Sequence, residues 1–171
     1  MKRISVRRMV FSALMAALIC VATMVVEIPS PTNGYVNLGD CFVLLASWLL
    51  GPWYGAAAAG IGSMLTDLFM GYAYYAPGTL VVKGLMGLLS GVLYRLLCKR
   101  APKGAMLISG IAAEAVMVLG YFMYAAVFLG YGIIGGAAGI PGNLVQGAVG
   151  LVAAVVLMAF LQRTGIEKKL I

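Results

Sequence analysis

Leu38-Gly39-Asp40-Cys41-Phe42-Val43-Leu44-Leu45-Ala46-Ser47-Trp48-Leu49-Leu50-Gly51-Pro52-Trp53-Tyr54-Gly55 opens an apolar stretch that runs on to Gly71, and its reading decides the fold. A helix needs about 20 residues to cross about 30 Å of hydrocarbon, so the stretch holds either one very long span or two shorter ones. Gly51-Pro52 is a turn signal near its middle. Around it lie four clearer candidates, at 9–27, 76–97, 105–129 and 139–161.

Charge parity chooses between the two readings. Eleven of the 12 basic residues fall in three clusters: Lys2/Arg3/Arg7/Arg8, Arg95/Lys99/Arg100/Lys103 and Arg163/Lys168/Lys169. Basic residues at span ends mark the cytoplasmic side, so an even number of crossings must separate each cluster from the next. Separate spans at 38–50 and 53–70 satisfy this, whereas a single span would place a basic loop outside. The expectation is an all-α integral membrane protein, a compact six-transmembrane-helix bundle over 1–171 with both termini cytoplasmic. The 38–50 span is short and must be tilted or shielded by its neighbours. The outside loops are then about 28–37, 71–76 and 130–139, rich in Pro, Gly and Tyr, and the first is the candidate lid.

Composition agrees. Of 171 residues, 63% are hydrophobic and 10% charged, against about a quarter charged in soluble domains. The net charge of +7 is explained by membrane anchoring, since no aromatic groove accompanies the basic clusters. Cys20, Cys41 and Cys98 form no CxxC pair, and histidine is absent, which argues against a disulfide framework and a conventional metal site. The basic start followed by Met9–Val26 resembles a signal peptide, but the apolar run is long and no clear cleavage site follows, so it reads as a retained first helix.

Small residues recur at helical spacing: Gly55/Ala59 and Ala56/Gly60, Gly84/Gly87/Gly91, and Gly147/Gly150/Ala154. Such stripes let helix backbones approach closely in lipid, where apolar burial does not drive association. The stripe Ala13/Ala17/Cys20 on the first helix fits internal packing or a docking surface for another membrane protein equally well.

A few polar groups within the spans require a reason, because a charge in hydrocarbon costs at least a few kcal/mol. Lys83, Glu114, Asn143 and Gln146 fall in the fourth to sixth spans, with Tyr121 on the face of Glu114. With Trp48, Tyr72, Tyr74 and Tyr75 as aromatic walls, they fit an outward-opening pocket for a small molecule. Lys83 and Glu114 fit equally an interhelical ion pair, and Asn143 and Gln146 interhelical hydrogen bonds. Asp40, near a helix start, reads as a capping residue rather than a binding one. Glu27 reads as interfacial. No catalytic constellation, nucleotide-binding motif or cofactor signature appears, so an enzyme is not expected and ATP-driven uptake would need partners.

Asn37-Leu38-Gly39-Asp40, Leu50-Gly51-Pro52-Trp53-Tyr54-Gly55, Gly71-Tyr72 and Ala76-Pro77-Gly78-Thr79-Leu80-Val81-Val82-Lys83-Gly84 resemble the substrate-binding S components of energy-coupling factor (ECF) transporters. The resemblance covers essentially the whole chain and is most specific over about 37–91. Within the family the chain is most similar to the group taking up hydroxymethylpyrimidine or pyridoxine-like vitamins. Riboflavin is demoted, because Asp40 is followed by Cys41-Phe42 rather than the Asp-Phe-Ser-type motif of riboflavin binders.

The resemblance implies a prokaryotic plasma-membrane protein that binds a vitamin under its first external loop. It implies docking onto a transmembrane scaffold (T) subunit carrying two ATPase (A) subunits, and toppling to release the cargo inside. Docking would then fall to Ala13 and Ala17, and binding to Lys83, Glu114, Tyr121, Asn143 and Gln146 with Asn33 and Asn37 from the lid. The alternative from another class is a membrane scaffold, assembly factor or stand-alone permease.

Overall fold

The computed structural model describes residues 6–29 and 35–165. Asn33 and the basic residues Lys2, Arg3, Lys168 and Lys169 lie outside the described residues. The elements run α1 (Val6–Val25), β1 (Glu27–Pro29), β2 (Tyr35–Asn37), α2 (Gly39–Leu50), α3 (Pro52–Phe69), α4 (Ala76–Leu97), α5 (Pro102–Met123) with a π-helical continuation over Tyr124–Phe128, the short α6 (Gly132–Ala137), and α7 (Ile140–Thr164). Six of these helices correspond to the expected spans. The stretch 38–71 is two helices, broken at Gly51, whose φ of 84° suits glycine alone. Arg95 Nη2 donates to the carbonyl of Leu50 across this turn at 3.2 Å, satisfying an acceptor at the end of α2.

With 12 residues, α2 is only about 18 Å long, too short to span the hydrocarbon alone. It is shielded instead. Every residue of α2 but Phe42 is buried, and Val43, Leu44 and Ala46 form the centre of the core with Ile19, Ala59 and Met86. α1, α3, α4 and α7 all pack against it. The helices at the periphery are the long apolar ones: α1, α4, α5 and α7 each carry a span-length apolar window.

Glycine sets the helix spacings. A Cβ on Gly55 would stand 2.6 Å from Ser47 Cα, one on Gly91 2.6 Å from Pro52 Cα, and one on Gly60 2.8 Å from the Leu80 carbonyl oxygen. Each of these neighbours is backbone and has little room to yield. The stripes on α3 and α4 are therefore internal packing faces. α1 divides its small residues between two faces. Ala16 meets Gly62 of α3, Ser12 Oγ donates to the Tyr54 carbonyl at 3.0 Å, and Cys20 is buried, whereas Ala13 and Ala17 are exposed among Val10, Leu14, Leu18 and Val21.

The helical expectation omitted two features, the short α6 within the expected 130–139 loop and a pair of strands. β1 and β2 form an antiparallel hairpin in which Glu27 faces Asn37, Ile28 faces Val36 and Pro29 faces Tyr35. It crosses the outer end of the bundle, where Tyr72 Oη donates to Glu27 Oε1 at 2.8 Å. That hydrogen bond, more than burial, pushes the Tyr72 hydroxyl above its ordinary pKa.

The α1–α3 contact gives a direct test. A Cβ on Gly62 would lie 2.5 Å from the Ala16 carbonyl oxygen, whereas one on Gly104 meets nothing closer than Ala101 Cβ at 3.6 Å. Gly62→Val should cost about 1–3 kcal/mol by overpacking and lower the thermal unfolding midpoint in detergent. Gly104→Ala should leave that midpoint within error.

Candidate functional site

Polar residues one turn apart on apolar helices converge at the outer half of the bundle. Ser63 and Asp67 on α3, Thr79 and Lys83 on α4, and Asn143 and Gln146 on α7 are spaced three or four apart and so share a helix face. With Thr23, Tyr35, Asn37, Tyr75 and Tyr121 they surround a cavity of about 40 Å³. A water needs about 10–15 Å³ of such space, so the cavity has room for a few waters, and it falls far short of the roughly 300 Å³ at which small-molecule pockets begin.

At the floor, Lys83 Nζ forms an ion pair with Asp40 Oδ1, both side chains buried. Gln146 Nε2 donates to Asp40 Oδ2 at 2.6 Å, so both carboxylate oxygens are occupied. Gln146 Oε1 in turn accepts from the backbone N–H of Asn37 at 2.9 Å and from Asn37 Nδ2 at 3.3 Å. Lys83 Nζ also stands 5.7 Å from the centre of the Tyr121 ring, within reach of a cation–π attraction. One connected polar network thus ties α2, α4, α7 and the hairpin together.

The roof is the hairpin. Tyr35 Oη donates to Asp67 Oδ1 at 2.6 Å. Burial first, and the adjacent Asp67 carboxylate second, push the Tyr35 hydroxyl well above its ordinary pKa, keeping it a neutral donor. Among the described residues Asp67 Oδ2 has no hydrogen-bond partner, which leaves an open acceptor in the cavity wall. Tyr121 Oη donates to Thr79 Oγ1 at 3.1 Å. Tyr75 stands edge-on to Tyr121 at 6.3 Å between ring centres, and beyond it Tyr72, Tyr74 and Tyr124 continue an aromatic rim.

Of the residues singled out from sequence, Lys83, Tyr121, Asn143, Gln146 and Asn37 line this cavity. Asn33 lies outside the described residues. Glu114 does not line the cavity; its buried carboxyl lies against Gly147 between α5 and α7, and among the described residues neither of its oxygens has a hydrogen-bond partner. Lys83 therefore pairs with Asp40 rather than Glu114. Asp40 is no cap: both its oxygens are committed to Lys83 and Gln146, and the first turn of α2 is met by Asn37 Oδ1, which accepts from the Gly39 N–H at 2.8 Å. Trp48 is no cavity wall, since it is buried against Tyr94 and donates through Nε1 to Ser109 Oγ at 3.0 Å. Thr23, Tyr35, Ser63, Asp67 and Thr79 escaped the sequence reading, although the four-residue spacings Ser63/Asp67 and Thr79/Lys83 carried the signal.

Comparison with known proteins gives the family. The family model described as "ECF-type riboflavin transporter, S component" matches residues 3–163. The chain belongs to this family. It is 31% identical over 140 residues to the thiamine precursor transporter HmpT of Lactococcus lactis subsp. cremoris (strain MG1363), covering 81% of this chain and 76% of that one. It is 37% identical over 135 residues to an uncharacterised protein of Pyrococcus woesei, covering 78% of this chain and 87% of that one. A solved structure described as the S component of a bacterial ECF transporter shares the fold, with a TM-score of 0.70, 20% identity and coverage of 92% of this chain and 96% of the other. The ECF S component is thus an integral membrane protein and not an enzyme, and its family implies T and A partner subunits and a small-molecule cargo.

The Asp40–Lys83 pair makes a quantitative prediction. Lys83→Met should cost about 3–5 kcal/mol by orphaning a buried carboxylate. Asp40→Asn combined with Lys83→Met should recover part of that loss. Chemical or thermal unfolding of the wild type and the two variants in detergent measures the recovery.

Proposed function

We propose that this S component captures a small, water-soluble nitrogen heterocycle of the hydroxymethylpyrimidine or pyridoxine type from the outside, and delivers it by toppling on an energy-coupling module of one T and two A subunits. The observation that carries the reading is the wall chemistry. Lys83 supplies a charged donor, Asp67 Oδ2 an uncommitted acceptor, Asn143 an amide with both functions, and Tyr35, Tyr75 and Tyr121 flat apolar surface. A ring bearing amino and hydroxymethyl groups uses all three kinds of contact. The similarity to a thiamine precursor transporter supports the same class.

At about 40 Å³ the cavity is in a closed form, and a ring enters only if its roof moves. The hairpin is held to the bundle by the Tyr35–Asp67 and Asn37–Gln146 hydrogen bonds. Entry would exchange these for contacts to the ligand, so Asn37 and Gln146 act as latch and ligand group in turn, with Asn33, between β1 and β2 in the sequence, as a further lid contact. Docking is assigned to α1, where Ala13 and Ala17 leave a shallow, exposed strip for a partner helix. Riboflavin is the second reading, favoured by the description of the matching family; its three-ring body demands a much wider opening of the same roof.

A binding screen of hydroxymethylpyrimidine, pyridoxine vitamers, thiamine and riboflavin against detergent-solubilised protein should give saturable binding for one of the first two. Ala17→Trp should leave that binding intact and abolish uptake by whole cells. Binding of riboflavin alone replaces the first reading with the second, and binding of none of the four refutes both. Loss of binding in Ala17→Trp refutes the docking assignment.

A further inference from the structure

Asp67 stands on α3 in the wall of the central cavity and is only 3% exposed. Its two oxygens are unequally served. Oδ1 accepts from the Tyr35 hydroxyl at 2.6 Å, whereas among the described residues Oδ2 has no hydrogen-bond partner. Lys83, whose charge also reaches Asp67, gives its ammonium to Asp40, and the nearby Thr79 hydroxyl is engaged by Tyr121. A buried carboxylate oxygen without a donor is a standing cost, relieved by whatever brings one. What covers the carboxylate at Oδ1 belongs to the roof: Tyr35 lies on β2, in the hairpin that must lift before a ring can enter. Lifting it strips Asp67 of its one hydroxyl from the hairpin, so the cargo must replace that donor.

Tyr35 also shows what kind of group fits there. It brings a flat ring with a polar hydrogen at its edge, and so holds the place of an aromatic donor while the cavity is shut. Its single hydroxyl meets one oxygen only. A ring with two adjacent N–H donors meets both, in the paired geometry that suits a carboxylate. That surplus lets such a ring displace Tyr35, whereas a ring with one donor exchanges one hydrogen bond for another. We infer that Asp67 is the specificity-determining residue of the central cavity and selects a heteroaromatic ring bearing an amino group beside a ring nitrogen, the amidine-type edge of a 4-aminopyrimidine. Pyridoxine is disfavoured, since its ring N–H is flanked only by carbon and its hydroxyls rotate. The inference rests on the cargo-capture reading above and narrows its two cargo types to one. In the bound form the amino N–H donates to one oxygen of Asp67. One proton, taken up from solvent with the ring, lies between the adjacent ring nitrogen and the other oxygen. No bond between heavy atoms is made or broken.

The test is calorimetric titration of the full chain in detergent with three probes: 4-amino-5-hydroxymethyl-2-methylpyrimidine, its 4-oxo isostere and pyridoxine. The oxo compound turns the amino donor into a carbonyl acceptor at nearly constant shape. The wild type should bind the amino compound about tenfold or more tightly than either of the others, the scale of a hydrogen bond to a charged group. An Asn amide has one donor and one acceptor and can turn either way, so Asp67→Asn should bind the amino and oxo compounds within about twofold of each other. It should also bind the oxo compound more tightly than the wild type does, a gain that loss of folding cannot produce. Tyr35→Phe keeps the ring but removes the placeholder's hydroxyl, and should tighten binding of the amino compound by about threefold or more. Equal binding of the amino and oxo compounds by the wild type, an unchanged preference or no gain for the oxo compound in Asp67→Asn, or weaker binding in Tyr35→Phe would each overturn the inference. A wild type that prefers pyridoxine overturns it while leaving the cargo-capture reading in place. Binding of none of the three probes overturns both.

Discussion

The ion pair between Asp40 and Lys83 is the constraint around which the outer half of the molecule is arranged. Neither charge is tolerable alone in a bilayer interior, and a buried pair is retained only when its remaining donors and acceptors are also met. Gln146 meets the second oxygen of Asp40, and its own carbonyl is met by Asn37. The requirement to satisfy one buried carboxylate therefore brings together a short central helix, two peripheral helices and the surface hairpin. Gly150 permits this convergence, since a Cβ there would stand 2.8 Å from Asp40 Cβ.

Helix number and order were legible in the sequence because they rest on hydrophobic length and on the sidedness of basic clusters, both long-range regularities. The glycine stripes on α3 and α4 were legible for a similar reason: in lipid, close backbone approach needs small residues. Partner choice among polar groups was not legible. Lys83 has three carboxylates within plausible reach across the helices, and the pairing with Asp40 depends on where the short α2 sits among its neighbours, a tertiary placement that the spacing of residues does not encode. Asp40 misled because a carboxylate in a first helical turn suits the helix dipole whether or not its side chain is committed elsewhere. The hairpin was missed because three-residue strands carry no measurable alternation.

The bundle divides its surfaces by chemistry. Small residues turned inward set helix spacing, while Ala13 and Ala17 on α1 leave an equally small-residue surface uncovered. Asn143 lines both the outer polar cavity and the groove between α5 and α7, yet the first is lined largely by donors and acceptors and the second largely by aliphatic side chains.

The central claim is that cargo is held between the hairpin and the Asp40–Lys83–Gln146 network. Structure determination of the purified protein bound to hydroxymethylpyrimidine, or to pyridoxine if that binds instead, tests it most directly. The account predicts the ring beneath a lifted hairpin, within hydrogen-bonding distance of Lys83, Asp67 or Asn143, with the Tyr35–Asp67 bond broken. A ring seated elsewhere, with the hairpin still bonded to Asp67 and Gln146, would contradict it.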